Sequence, residues 1–263
     1  MKKNAFAIFT LITMCSAMTN AQNQFSSSGP IAPSKAMMKE KGRFITIAAA
    51  NGNTYKVFAA GPENAKSAIV FVHDYFGISN AAKRSVERLG TLGYRTIAVD
   101  LYKGKSAITN DAAVALMNAK DANETKQILQ SAIEYLKRPG RKLASVGFSA
   151  GGIDAMNANL IAPELFNATA IVYGGGYDKI GSQEINKIKS PLLAITGGLD
   201  NWPLEAALSF LQNHKDKSFE LYVYPGAEHG YAQPLFNSGK NYNAEATRVT
   251  WWLLKDFLAR NLK

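Results

Sequence analysis

The hexapeptide Gly147-Phe148-Ser149-Ala150-Gly151-Gly152 directly follows the apolar run of residues 143–146. A serine at a tight turn between a strand and a helix has a strained backbone, and only small residues two places before and after it leave room for such a turn. Gly147 and Gly151 occupy those two places. The helix that follows directs free N–H groups and its positive dipole end toward an oxyanion formed when the hydroxyl attacks a carbonyl. The pattern predicts a nucleophile elbow with Ser149 as the nucleophile.

The composition is that of one globular catalytic domain, which we assign to residues 42–263. The chain has 263 residues, of which 47% are hydrophobic and 19% are charged, enough apolar material for one large core. The formal net charge of +10 favours anionic surfaces or substrates. The basic residues are scattered, however, and no basic run is interleaved with stacking aromatics, so we expect no nucleic-acid partner.

The first 41 residues have the pattern of an export signal and a tether. Residues 1–21 combine Lys2 and Lys3, an apolar segment and a small-residue cleavage site, which predicts a signal peptide and a periplasmic or secreted protein. Residues 22–41 are rich in Ser, Pro, Ala and Met and predict a linker. After removal of the signal we expect no stable membrane insertion. A lipoprotein anchored through Cys15 is the less favoured alternative, because Met14 is bulkier than the residue such processing prefers.

Cysteine usage restricts the chemistry of the site. Cys15 is the single cysteine of the sequence, so a chain that has lost its signal carries no thiol. A cysteine nucleophile, a disulfide and a thiolate metal ligand are thereby excluded, and we expect no metal.

The order of apolar segments predicts an α/β fold with a mostly parallel sheet and helices on both faces. Residues 43–48 and 54–60, separated by Asn51-Gly52, predict an antiparallel hairpin. Later strands are predicted at 68–72, 96–100, 143–148, 168–173, 192–196 and 220–224. The helical stripes Ile128, Leu129, Ala132, Ile133, Leu136 and Val249, Trp252, Leu253, Phe257 are predicted to face the core. Parallel strands share one carboxyl-terminal edge, where the chemistry is expected.

A serine nucleophile needs a base and an acid from this edge. Of the three histidines, His73 precedes the elbow and His214 ends a helical segment, whereas His229 lies in a glycine-bounded loop after the last strand. Asp200 follows the strand before that one, so the chain order is Ser, Asp, His, as in an α/β-hydrolase. Asp178, beside three glycines, is the competing acid, although a turn residue is sufficient to explain it.

The oxyanion hole is predicted to use the backbone N–H groups of Ala150 and Tyr75. Asp74, next to Tyr75, either orients the serine or caps the helix that begins near Ser79, and both interpretations stay open. Four aromatic residues at strand ends either line the substrate pocket or simply pack in the core: Tyr75, Tyr173, Trp202 and Tyr231.

Five motifs together resemble the dienelactone hydrolase family of α/β-hydrolases: residues 72–77, 98–102, 147–152, 197–200 and 225–231. This resemblance extends from about residue 43 to residue 262. It implies an α/β-hydrolase without a cap domain or cofactor, monomeric or weakly dimeric, that acts on a small-molecule ester or acyl substrate. It also implies that Ser149, Asp200 and His229 are nucleophile, acid and base.

Two departures from the family pattern affect the expected substrate. Founding members carry cysteine as the nucleophile, and Ser149 shifts this chain toward carboxylesterase chemistry. Those members also bind the carboxylate of the lactone through arginines, where this chain offers Gln233, Lys103 and Lys105. We therefore do not expect dienelactone itself to be the substrate.

The sequence hypothesis is a serine hydrolase that cleaves carboxylic esters, including lactones or thioesters, through an acyl-enzyme on Ser149. One alternative is a peptidase, amidase or polymer depolymerase with the same three residues. Another is a non-catalytic exported binding protein of the same fold.

Overall fold

A computed structural model describes residues 42–262. The predicted signal peptide and linker lie outside the described residues. Eight strands form one sheet in the described chain: β1 Arg43–Ala48, β2 Thr54–Ala60, β3 Ser67–Val72, β4 Arg95–Val99, β5 Lys142–Phe148, β6 Phe166–Val172, β7 Leu192–Gly197 and β8 Phe219–Tyr224. The predicted strand bounds differ from these by two residues at most.

The sheet has the strand order β1-β2-β4-β3-β5-β6-β7-β8. β1 pairs antiparallel with β2, which confirms the predicted hairpin, and β2 pairs antiparallel with β4. The remaining neighbours are parallel. Every residue of β3 and β4 is buried, as expected for central strands covered on both faces. The parallel strands therefore share one carboxyl-terminal edge.

Helices cover both faces of the sheet. They are α1 Asn80–Thr91, α2 Asn110–Asn118, α3 Ala122–Leu136, α4 Gly151–Ile161, α5 Ser182–Ile185, α6 Asn201–Asn213 and α7 Ala244–Leu262. Helices α1 and α7 share a hydrophobic cluster on one face, and α3 and α4 share a cluster on the other. Side chains cap several helix starts; for example, Ser79 accepts a hydrogen bond from the N–H of Ala82.

The predicted core stripes are confirmed for α3 and partly wrong for α7. All five apolar residues of the α3 stripe are buried. In α7, Leu253 and Phe257 are buried, but Trp252 is 53% exposed and Trp251 takes the buried place. Trp251 lies on the face of Leu254 and Leu258, three and seven residues further along, whereas Trp252 is turned about 100° from Trp251 and toward solvent. Leu254 and Leu258 fix which face is buried.

Among the described residues, no helix combines the length and the apolar character needed to cross a bilayer.

We predict that Gly151→Ala destabilises the protein. A Cβ at this position would press against the backbone carbonyls of Val72 and His73 at the end of β3, and backbone has no rotamer to change. Such overpacking costs about 1–3 kcal/mol of unfolding free energy, measured by urea denaturation.

Gly181→Ala is the matched control. Gly181 has a φ of −60°, and no atom lies within 4 Å of a Cβ built there. We expect its unfolding free energy to change by less than about 0.5 kcal/mol. Equal losses in the two variants would contradict the close approach of β3 to the elbow.

Candidate active site

Ser149 has the strained backbone that the elbow motif predicts. It lies between β5 and α4 with a φ of 50°, in the left-handed region that side chains rarely adopt. Its N–H donates to the carbonyl of Val172 at 2.9 Å, which fixes the turn against the end of β6. A Cβ at Gly147 would meet the carbonyl of Gly151, so the turn requires glycine there. The steric reason for the motif is therefore present in the structure.

Ser149, His229 and Asp200 form a continuous hydrogen-bonded chain. The Oγ of Ser149 is 2.9 Å from Nε2 of His229, and Nδ1 of His229 is 2.7 Å from Oδ2 of Asp200. A carboxylate accepts only, so we assign the imidazole proton to Nδ1 and leave Nε2 to accept from the serine hydroxyl. Asp200 is buried, whereas the His229 side chain is 23% exposed. This arrangement can move the hydroxyl proton of Ser149 onto the imidazole.

Backbone hydrogen bonds hold the two loops that carry His229 and Asp200 against each other. The N–H of Leu199 donates to the carbonyl of Ala227 at 2.9 Å, and the N–H of Gly198 donates to the carbonyl of Tyr224 at 2.8 Å. The amide of Asn241 donates to the carbonyl of His229 at 2.9 Å. The distance between acid and base is therefore set by backbone geometry rather than by two mobile side chains.

Asp178, the competing acid, lacks a hydrogen-bond partner of this kind. Asp178 lies in the short 3₁₀ helix Tyr177–Lys179, and its Oδ1 is buried without a hydrogen-bond partner among the described residues. The acid position beside His229 is thus held by Asp200, the first choice from the sequence.

The other two histidines, His73 and His214, make contacts that belong to the packing of the fold. His73 is buried, its Nδ1 lies 2.6 Å from the carbonyl of Asp74, and its Nε2 accepts from the N–H of Leu101 at 3.3 Å. Burial lowers the pKa of His73, which favours its neutral form. His214 ends α6 with its ring 4.7 Å from the ring of Phe210.

The two predicted oxyanion donors both have a free N–H within the described chain. Neither Tyr75 nor Ala150 donates a backbone hydrogen bond to another described residue. The loop of Tyr75 adjoins the elbow, because Val72 and Gly147 are paired neighbours in β3 and β5. Two unpaired donors beside a serine are what an oxyanion hole requires.

Asp74 is buried and does not cap a helix. Its Oδ1 accepts from the N–H of Phe76 at 2.9 Å, and its Oδ2 accepts from Nε2 of Gln233 at 2.5 Å. The helix-cap interpretation is wrong, because Ser79 itself caps α1. Burial raises the pKa of Asp74 to about 6, although both hydrogen bonds and His229 oppose this shift. The bond to Gln233 joins the loop of Tyr75 to the loop of His229.

Aromatic rings surround His229. The ring centroids of Tyr173, Trp202 and Phe236 lie 5.7, 6.0 and 5.1 Å from that of the imidazole. Trp202 is 48% exposed, so it forms the outer edge of this aromatic group. Phe236 was not among the residues predicted from the sequence; its one signal there is an aromatic residue in the same loop as His229. Phe236 also contacts the ring of Tyr75 at 6.0 Å.

Tyr173 and Tyr231 pack against each other in the core next to this aromatic group. Both are buried, and their ring centroids are 5.1 Å apart. The hydroxyl of Tyr231 is 2.7 Å from Oγ1 of Thr250, which satisfies it inside the core. This placement matches the packing interpretation of the two residues; Tyr173 also supports the imidazole edge.

Within residues 42–262, no group of three or more His, Cys, Asp or Glu side chains is arranged to hold a metal ion.

Residues 55–262 match the model of the dienelactone hydrolase family. This chain belongs to the dienelactone hydrolase family. It is similar to carboxymethylenebutenolidase 1 of Cupriavidus pinatubonensis, with 27% identity over 220 residues that cover 78% of this chain and 91% of that protein. Because the members of this family are hydrolases, the chain is assigned to a hydrolase family.

Solved structures support the fold assignment. A dienelactone hydrolase from Anabaena variabilis superposes with a TM-score of 0.64 at 19% identity, covering 86% of this chain and all of that one (100%). A dienelactone hydrolase-like promiscuous phosphotriesterase from metagenomic libraries gives a TM-score of 0.69 at 18% identity, covering 85% of this chain and 100% of that one. The predicted α/β-hydrolase fold is confirmed.

We predict that Asp74→Asn stabilises the protein more at pH ~8 than at pH ~4. The pKa of Asp74 is about 6 in the fold against an ordinary 3.8 for an aspartate carboxyl, so the unfolded chain ionises first as pH rises. Native stability is therefore lost between these two values and stays lower above them. The difference in unfolding free energy between variant and wild type should grow by about 2–3 kcal/mol from pH ~4 to pH ~8, in urea melts at each pH. If the difference in unfolding free energy between Asp74→Asn and wild type does not depend on pH, the assignment of Asp74 as a buried, ionised carboxylate is contradicted.

Proposed function

We propose that this protein is a serine hydrolase that cleaves carboxylic esters through an acyl-enzyme on Ser149. The observation that carries the proposal is the hydrogen-bonded chain from Oγ of Ser149 through His229 to Asp200. Membership of a hydrolase family supports the reaction class.

In the first half of the proposed reaction, Oγ of Ser149 attacks the acyl carbon while Nε2 of His229 takes the hydroxyl proton. The carbonyl oxygen becomes an oxyanion that accepts hydrogen bonds from the N–H groups of Tyr75 and Ala150. The carboxylate of Asp200 stabilises the imidazolium. His229 then gives the proton to the leaving alkoxide, the ester C–O bond breaks, and the alcohol departs.

In the second half, a water molecule attacks the acyl carbon of the Ser149 ester, and His229 takes one proton from it. Collapse of this intermediate returns the proton to Oγ of Ser149 and releases the carboxylic acid. The rings of Trp202 and Phe236 lie beside His229, which supports an acyl or alcohol part with apolar character. The name of the relative carboxymethylenebutenolidase 1 supports including lactones among the esters that are tested.

The proposed place of action is the periplasm or the exterior of the cell. The support is the sequence pattern of residues 1–21.

We expect Ser149→Ala to lower kcat/KM for a p-nitrophenyl ester by about 10⁵–10⁶, since it removes the nucleophile. Asp200→Asn should lower it by about 10⁴, because the imidazole then lacks the partner that fixes its proton on Nδ1. Steady-state kinetics on the purified proteins measure both effects.

Asp178→Asn is the matched control for Asp200→Asn, because it removes a carboxylate of the 3₁₀ helix after β6, at the same sheet edge, without removing a hydrogen bond to His229. Its kcat/KM should stay close to wild type. Activity retained by Ser149→Ala, or an equal loss in the two aspartate variants, would contradict the assigned roles. Cleavage of peptides with no cleavage of esters would favour the amidase alternative.

A further inference from the structure

We propose that Asp74, held by Gln233, makes the acyl site select against substrates that carry a negative charge on their acyl part. This inference rests on the proposed ester hydrolysis at Ser149 and names the substrate class of that site: esters and lactones whose acyl part is uncharged.

The sheet register places Asp74 beside Ser149. Val72 and Gly147 are opposite each other in the parallel strands β3 and β5, and Asp74 and Ser149 each lie two residues further along. Neighbouring strands are about 4.8 Å apart, so the segments that carry Asp74 and Ser149 leave the sheet edge side by side. The carbonyls of Val72 and His73 pack directly against Gly151, which confirms the close approach of this loop to the elbow.

The carboxylate of Asp74 has only neutral hydrogen-bond donors. The N–H of Phe76 and the amide of Gln233 hold its two oxygens, and no ion pair within residues 42–262 joins it to a lysine or arginine. The side chains of Asp74 and Gln233 are both buried. Since its pKa is about 6, Asp74 is ionised at neutral and higher pH. Its charge therefore acts on the site without a compensating cation.

The same charge acts favourably on the base and unfavourably on an anionic substrate. Asp74 interacts electrostatically with His229, so it favours the imidazolium that forms when the serine proton is transferred. A carboxylate on the acyl chain brings a second negative charge into this weakly screened region and is repelled. The formal net charge of +10 comes from charges spread over the whole sequence, and salt screens those that are exposed.

The test uses two p-nitrophenyl esters that differ by one group: p-nitrophenyl hexanoate, and mono-p-nitrophenyl adipate, in which a carboxylate replaces the terminal methyl. Rates are measured at pH ~8 and corrected for spontaneous hydrolysis. We expect wild type to prefer the hexanoate by about ten- to a hundredfold in kcat/KM. Asp74→Asn, which keeps the shape and removes the charge, should lower this preference by about tenfold.

Two further variants complete the design. Glu228→Gln removes an exposed carboxylate adjacent to His229 and should leave the preference unchanged, because water screens that charge. Gln233→Arg places a cation against Asp74 and should lower the preference, which tests the same charge by a second route.

The outcomes separate the two proposals. No hydrolysis of the hexanoate by wild type would contradict the proposed function. Hydrolysis of the hexanoate with no preference over the adipate would overturn the selectivity alone. A preference that is the same in wild type, Asp74→Asn and Gln233→Arg would also overturn it, since it would then come from another part of the site.

Discussion

The backbone contact between the elbow and the end of β3 is the constraint on which the site depends. Gly151 lies against the carbonyls of Val72 and His73, and Ser149 is held at a positive φ by a hydrogen bond to Val172. This contact determines where the serine hydroxyl lies and where the loop of Tyr75 lies relative to it. It is formed by backbone and by residues without side chains, so it cannot relax by changing a rotamer.

A second set of backbone contacts brings the base and the acid to that hydroxyl. The loops after β7 and β8 are joined through Leu199 and Ala227, and Asp200 and His229 are carried by these loops. The bond between Asp74 and Gln233 then joins the loop of His229 to the loop after β3. Three loops at one edge of the sheet are thus tied into one unit, which keeps the reacting groups in a fixed arrangement before a substrate binds.

The sequence could predict those parts of this arrangement that depend on residues close together in the chain. A serine at a strained turn needs glycine two places away on each side, and buried parallel strands need continuous apolar runs; both signals are visible in residues 143–152. The meeting of Ser149, Asp200 and His229 follows from strand ends sharing one edge. Within α7, by contrast, periodicity did not determine which of the two adjacent tryptophans faces the core, because that depends on the surface against which the helix packs.

Contacts between distant loops were not predictable in this way. Asp74 and Gln233 are 159 residues apart, and neither shows a local pattern that indicates the other. From the sequence, two roles therefore stayed open for Asp74, and Gln233 was interpreted only as a replacement for an arginine. The position of Phe236 over His229 and the burial of Tyr231 also depend on how the last long loop folds back onto the sheet.

Labelling with a fluorophosphonate, followed by peptide mapping, tests the nucleophile without any assumption about the natural substrate. We expect one adduct per chain, located on Ser149, with parallel loss of esterase activity, and slow labelling in His229→Ala because the hydroxyl has lost its base. Esterase activity that survives complete labelling, or an adduct on another residue that accounts for its loss, would contradict Ser149 as the nucleophile.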